Sequence, residues 1–318
     1  MAGAPTRTKT DVTERPPPRA AIRTSDEVAE ALAAGGAVVA LETSVVSQGL
    51  PPPRNLECVE RMGGAVRSAG AVPAWIGVAD GEVVVGLSHA ELLAFAEPGR
   101  ASKVARRDLA FAVANGGLGA TTVSSMIWAA RRAGIAVAAT GGVGGVHPDT
   151  GDVSADLLEL ARTPVLLVCS GPKSIVDPVA TAERLEELGV GMVGFRCDRL
   201  PFFLALEADV ELDQRVNDAG GAAAIVRAMA RVGVEAAVLL CNPVPASAAM
   251  DPAVVAEAVR ACERLAASDG VRGKAVTPFL LSCLAQQTRG ASLEANLALL
   301  QDNAKLAGEV AAAAVSGG

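Results

Sequence analysis

The sequence predicts an α/β protein with three α/β/α layers around a mixed, mostly parallel central sheet. Three observations predict it. Short β-branched runs, IAVAAT, PVLLVC, GMVGF and AAVLLC, alternate with helix-length stretches through the middle of the chain, the pattern of parallel strands covered by helices on both faces. An earlier pair, PAWIGVA and EVVVG, is separated by Asp80-Gly81, a hairpin signature that makes the sheet mixed. Aromatic residues are only 3% of the chain and Tyr is absent. The core is left to Ala, Val and Leu, which suits small strands tightly packed by helices.

Taken in order, the segment MAGAPTRTKTDVTERPPPRA is Pro-rich and lacks the apolar stretch of a secretory signal. Residues 1–24 therefore read as a disordered tail. Residues 25–318 read as a single domain, with no internal repeat and no convincing linker. T-S-D-E near Thr24 offers a capping box to a first helix, and Gly35 and Gly36 stop it. The strand AVVAL follows and ends at Glu42. A helix over 54–70 leads into the hairpin, another is expected near 178–188, and the C-terminal third is mainly helical.

At 318 residues, the chain buries roughly 75% of its unfolded surface, enough for a substantial core. It is 51% hydrophobic with mean hydropathy +0.36, yet no run reaches the roughly 18 apolar residues of a membrane span. A soluble, cytoplasmic protein without a membrane partner is expected. The net charge of −7 and the scarcity of aromatic stacking platforms argue against nucleic acid. Six cysteines form no C-x-x-C pair and have only His89 and His147 to complement them, which argues against zinc. Cys169 and Cys241 end apolar runs, the setting of buried reduced thiols.

In open α/β sheets, ligands bind beyond the carboxyl ends of the strands. Four segments share that rim: ETSVVSQGLPPP from Glu42, TGGVGGVHPDTGD, SGPKS, and NPVP after Cys241. The second is not a dinucleotide fingerprint, because His147 stands where the third glycine belongs. SGPKS is not a Walker loop, because Pro172 and Leu167 occupy the positions that need glycine. Backbone able to approach a ligand closely survives from both, as does the plain reading of tight turns. Lys173 follows a buried strand and is expected at or near a helix start, where desolvation and the helix dipole favour the uncharged amine of a Schiff-base nucleophile; pairing with Asp177 is the plain alternative. Glu42 closes an apolar strand, where burial favours the protonated acid, although capping a helix or pairing with an arginine would also explain it. Asp152 and Asp156 are expected on one face at a helix start, suiting Mg²⁺ or Mn²⁺, with helix capping as the alternative for one of them. Lys103 is the nearest cation for a phosphate, and Arg106 and Arg107 read as surface charges.

Read together, these stretches resemble the pseudouridine-5′-phosphate glycosidase family, which includes the indigoidine-synthase-A-like proteins. The resemblance lies in VALETSVVSQGLPPPRNLE, SKVARRDLAFAVANGGLGATTV, GIAVAATGGVGGVHPDTGDVSADLLELARTPVLLVCSGPKSIVD, NPVP and VTPFLLSCLAQQTRGASLEANLALLQDNAKLA, from about residue 37 to 310. It implies a homotrimeric lyase that reversibly converts pseudouridine 5′-phosphate and water to uracil and ribose 5-phosphate, aided by a divalent cation, usually Mn²⁺. By motif it implies Lys173 as nucleophile, Glu42 as proton donor and Asp152 as metal ligand. It also implies Lys103, Val123, Ser154, Ala155, Asp156 and Asn296 as substrate contacts. Two departures flank Glu42: Thr43-Ser44 replaces Ser-Thr, and Gln48 replaces the common His. A Schiff-base lyase acting on another phosphorylated C-glycoside or sugar, and a non-catalytic binding protein, are the alternative readings.

Overall fold

The computed structural model describes residues 22–148 and 151–317. Of the expected tail, residues 1–21 lie outside this range. Ile22–Thr24 do not belong to a tail: they form β1, which pairs in parallel with a later strand through alternating main-chain hydrogen bonds.

The strands that follow are β2 (Val38–Glu42), β3 (Val72–Ala79), β4 (Glu82–Val85), β5 (Ser102–Val104), β6 (Gly119–Thr121), β7 (Val137–Ala139), β8 (Leu166–Cys169), β9 (Gly191–Phe195), β10 (Arg215–Val216) and β11 (Val238–Cys241). The helices are α1 (Asp26–Ala33), α2 (Arg54–Ser68), α3 (His89–Ala96), α4 (Leu109–Asn115), α5 (Val123–Arg132), α6 (Ala155–Leu160), α7 (Pro178–Glu187), α8 (Ala219–Val232), α9 (Pro252–Ser268), α10 (Val276–Gln287) and α11 (Ala291–Ser316). One sheet runs in the order β1-β4-β3-β2-β7-β8-β11-β9-β10, with β6 and then β5 attached beside β3. All its pairings are parallel except β3 with β4 and β3 with β6. The Asp80-Gly81 hairpin therefore contributes to the mixed character, as the sequence predicts, and the antiparallel β6 beside β3 adds a second source that the sequence does not announce.

Strand alternation makes the three layers. Val39 and Leu41 of β2 belong to a core shared with α2, α8, α10 and α11, whereas Val38 and Ala40 belong to a second core under α1, α5 and α7. Each fully buried Val or Leu contributes about 1.5–3 kcal/mol, so both faces of the sheet are anchored. Ser25 caps α1, its hydroxyl accepting from the Val28 amide; the expected capping box lacks its acid, because Val28 occupies the third helical position. Asp177 caps α7 and Pro178 opens it.

Of the thiols, Cys169 and Cys241 are free and buried, as expected. Cys262 and Cys283 form a disulfide between α9 and α10, which their wide sequence spacing does not announce.

Candidate functional site at the carboxyl rim of the sheet

The ends of β2, β7 and β8 open into a cavity of about 250 Å³. Its wall is shared by the loops after these strands, by β5, and by the start of α10 and one turn of α11. Glu42, Lys103, Asp152, Ser154, Ala155, Asp156, Lys173 and Asn296 all line it. Val123 does not. It is fully buried at the first turn of α5, and its neighbour Thr122 reaches the wall instead. NPVP stays behind the wall, where the Asn242 side chain donates to Asp302 Oδ2 at 2.8 Å and Asn303 Oδ1 at 3.0 Å.

Glu42 is 4% exposed, and each of its oxygens accepts from a hydroxyl. Ser44 Oγ donates to Oε2 at 2.6 Å, and Thr140 Oγ1 donates to Oε1. Among the described residues no arginine pairs with it. Thr43, by contrast, is fully buried and turns into the core, donating to the Ile76 carbonyl at 2.8 Å and accepting from the Thr121 amide at 3.0 Å. The reversed Thr-Ser order thus leaves a serine beside the carboxylate and puts the methyl in the core. Gln48 sits in a π-helical turn, Val45–Gly49. Its amide nitrogen donates to the Ala101 carbonyl at 3.0 Å, while Oε1 is buried without a partner.

Two loops hold Lys173. Its backbone amide donates to Val143 O at 3.0 Å, and the Asp177 amide donates to Val146 O at 2.9 Å, so the SGPKS loop is zipped to the loop after β7. Lys173 is not at a helix start: α7 begins at Pro178, and Asp177 spends its carboxylate on the Val179 and Ala180 amides. The helix dipole therefore acts elsewhere, and the pairing of Lys173 with Asp177 does not occur. The half-buried Lys173 side chain has no hydrogen bond or ion pair among the described residues.

Asp152 and Asp156 do not share a helix face. Asp152 precedes the Ser154 cap in extended chain, and its carbonyl accepts from the His147 amide at 2.9 Å. Asp156 is buried, and its carboxylate accepts from the Ser124 amide at 3.0 Å and the Gly144 amide at 3.1 Å. It joins α5, α6 and the glycine loop, a structural task that uses both oxygens. A β-carbon at Gly144 would lie 2.3 Å from Ser154 Oγ, and one at Gly171, where φ is +75°, would lie 1.9 Å from the Pro201 carbonyl. Both glycines are demanded by close approach. Among the described residues no three His, Cys, Asp or Glu side chains gather as a cage. The donor set fits a hydrated divalent ion held by one carboxylate, the habit of Mg²⁺-like ions.

The cavity also contains residues that sequence reasoning passed over. Thr140 ends the IAVAAT run, so the strand-end rule could have found it. His147 served only to reject a fingerprint, yet it lines the cavity, where burial lowers its pKa with Lys103 acting in the same direction and Asp152 against. Arg107, assigned to the surface, is exposed but contributes to the wall. Arg106 stacks on Trp128 at 4.5 Å, with Arg132 also over that ring at 4.0 Å.

Fold and cavity together define an α/β protein with a small-molecule site at the rim of its sheet, walled by Lys103, Lys173, Glu42 and Asp152 among others. The family described as indigoidine synthase A like protein matches residues 27–313, and the chain belongs to that family. It is 46% identical over 296 residues to a pseudouridine-5′-phosphate glycosidase of Gemmatimonas aurantiaca, covering 93% of this chain and 97% of that protein. It is likewise 46% identical over 290 residues to one of Herpetosiphon aurantiacus, covering 90% and 96%. Among solved structures, the prealnumycin C-glycosynthase AlnA in complex with ribulose 5-phosphate superposes with TM-score 0.84 at 41% identity, covering 93% of this chain and 97% of that one. An indigoidine synthase A-like protein from Thermotoga maritima does so with TM-score 0.84 at 38% identity, covering 92% and 96%.

Proposed function

We propose that this protein reversibly cleaves the C-glycosidic bond of pseudouridine 5′-phosphate to uracil and ribose 5-phosphate, a reading supported by its likeness to proteins named pseudouridine-5′-phosphate glycosidase. The observation that carries this reading is the meeting, in one cavity, of the Lys173 side chain, which has no partner among the described residues, with the Glu42 carboxyl group held by two hydroxyls. Uracil attached through carbon is a poor leaving group, so direct departure from a closed sugar ring, the route of ordinary glycosidases, is slow. Glu42 protonates the ring oxygen O4′ as the C1′–O4′ bond breaks, and the uracil π system meets the electron demand at C1′. The Lys173 amine then adds to C1′. The proton that the added nitrogen sheds passes to uracil C5, the C1′–C5 bond breaks with its electrons restoring the C5–C6 double bond of uracil, and the lysine nitrogen lone pair forms the imine. Water hydrolyses the imine to the aldehyde of ribose 5-phosphate and restores the amine.

Lys103 and Arg107 supply positive charge for the phosphate in a chain whose net charge is −7, and Ser154, Ala155 and Asn296 complete the substrate wall. Asp152 would hold a divalent cation, Mn²⁺ or Mg²⁺, whose bound waters would polarise oxygens of the substrate. Among the described residues no helix is long and apolar enough to cross a membrane, in keeping with work in the cytoplasm on a soluble metabolite. The homotrimer implied by the resemblance belongs to the same proposal.

Borohydride added with ribose 5-phosphate should leave a reduced sugar adduct on Lys173, located by peptide mass spectrometry. Lys173→Ala should lose the adduct and at least a thousandfold of kcat. An adduct on another lysine would overturn the mechanism. A second reading is favoured by the likeness to AlnA: the same lysine chemistry used on a different aglycone. Ribose 5-phosphate offered with uracil and Mn²⁺ separates the two, because failure with uracil and success with another carbon nucleophile would support the second.

A further inference from the structure

Both oxygens of Glu42 are already occupied, and this constrains how its proton leaves. A neutral carboxyl carries its proton on one oxygen, so one of the two hydroxyls that now donate to Glu42 must reverse and accept from it. The two hydroxyls differ in where they stand. Both residues line the cavity, but Thr140 is fully buried whereas Ser44 is partly exposed. Ser44 Oγ lies 2.6 Å from Glu42 Oε2, the short separation of a charge-assisted O–H···O bond. Among the described residues its hydroxyl has no other partner. Glu42 itself lines the cavity but is only 4% exposed, so it meets a substrate over little of its surface.

We propose that Ser44 is a catalytic residue, the proton conduit between Glu42 and the ring oxygen of the sugar. This rests on the reading of Glu42 as the acid of a ring-opening lyase. In the acid form, Glu42 Oε2–H donates to Ser44 Oγ, and the Ser44 hydroxyl turns its own proton into the cavity. In the step, the Ser44 proton passes to O4′, the Glu42 proton passes to Ser44 Oγ, and the C1′–O4′ bond breaks with its electrons on O4′. The substrate gains one proton, Glu42 loses one, and Ser44 ends neutral. Thr140 continues to donate to Oε1 throughout and steadies the carboxylate that forms. A hydroxyl is needed at position 44, not a serine as such. Threonine there keeps the relay, and alanine breaks it.

The test compares two aldoses in borohydride trapping on Lys173. Ribose 5-phosphate is a closed ring and needs a proton at its ring oxygen to open. Erythrose 4-phosphate cannot close a five-membered ring, because its fourth oxygen is esterified, and it reaches the lysine as an aldehyde. Ser44→Ala should trap erythrose 4-phosphate within about twofold of wild type but ribose 5-phosphate at least tenfold more slowly. Its kcat on pseudouridine 5′-phosphate should fall about a hundredfold, the scale of general acid catalysis, with KM little changed. Ser44→Thr should restore both rates to within a few fold. The relay is overturned if Ser44→Ala traps both aldoses like wild type, which would mean that Glu42 delivers its proton unaided. It is equally overturned if the variant loses both, which would mean that the site has collapsed. A wild-type chain that traps both aldoses but leaves pseudouridine 5′-phosphate intact would overturn the proposed substrate alone. One that traps neither would remove the lysine chemistry and the relay together.

Discussion

The carboxylate of Glu42 accepts from two hydroxyl groups and, among the described residues, pairs with no cation, so its environment is tuned by neutral dipoles that can be removed one at a time. Hydrogen bonds to a charged group are worth about 1.5–3 kcal/mol, more than those between neutral groups. Thr140→Val keeps the shape and deletes the donor to Oε1. We expect kcat to fall at least tenfold with KM nearly unchanged and the melting temperature within a few degrees of wild type. Steady-state kinetics beside a thermal melt decide it, and a change confined to KM would show that Thr140 contacts substrate and does not support the acid. Glu42 and Lys173 were legible because each follows a buried strand run. Thr140 lay within reach of the strand-end rule, but that it and Ser44 hold the Glu42 carboxylate was not legible, because a hydroxyl carries no sign of its partner until the fold brings the two together.

At the scale of elements, three strand ends are tied to one helix. Asn303 of α11 is fully buried, and its amide nitrogen donates to Thr140 O at 2.9 Å, Gly141 O at 3.3 Å and Ser170 Oγ at 3.1 Å. Its oxygen accepts from Asn242 at 3.0 Å. The ends of β7, β8 and β11 are thereby fixed relative to one another under the floor of the cavity. Asn303→Leu fills the space but strands several buried polar groups, each costing about 1–3 kcal/mol. A loss of about 3 kcal/mol or more in urea unfolding is expected, and a near-neutral result would mean that water replaces the amide. The strands themselves were readable from period and β-branching, as was the hairpin at Asp80-Gly81. The brace was not, because nothing in QDNAKLA says that its asparagine meets backbone 163 residues earlier. The helix start misjudged at Lys173 has a similar cause: Asp177 and Pro178 together give the stronger start signal, and they lie beyond the lysine.

Across the whole molecule, the acidic balance of the chain coexists with a cavity that gathers Lys103, Arg107, Lys173 and His147. Composition argued against a nucleic-acid surface but could not locate this charged pocket, which is assembled from segments far apart in sequence and also holds Glu42, Asp108, Asp152 and Asp156. Its presence has a consequence for stability against pH. Burial, aided by Lys103, lowers the pKa of His147 in the folded protein, with Asp152 opposing. The unfolded chain then binds a proton at higher pH than the folded chain does, so stability rises with pH through that interval. The increment is fully present above the ordinary histidine value of about 6.5 and is lost as pH falls from there through the lowered folded value. Thermal melts of wild type from pH 7.5 to 5 should therefore fall more steeply than those of His147→Gln, which lacks the titrating group. Parallel curves for the two would show that the imidazole is solvated in the folded state. A phosphate ester seated beside Lys103 and His147 would favour the imidazolium. In saturating ribose 5-phosphate the wild-type curve should therefore flatten toward that of the variant as the ligand's charge offsets the burial.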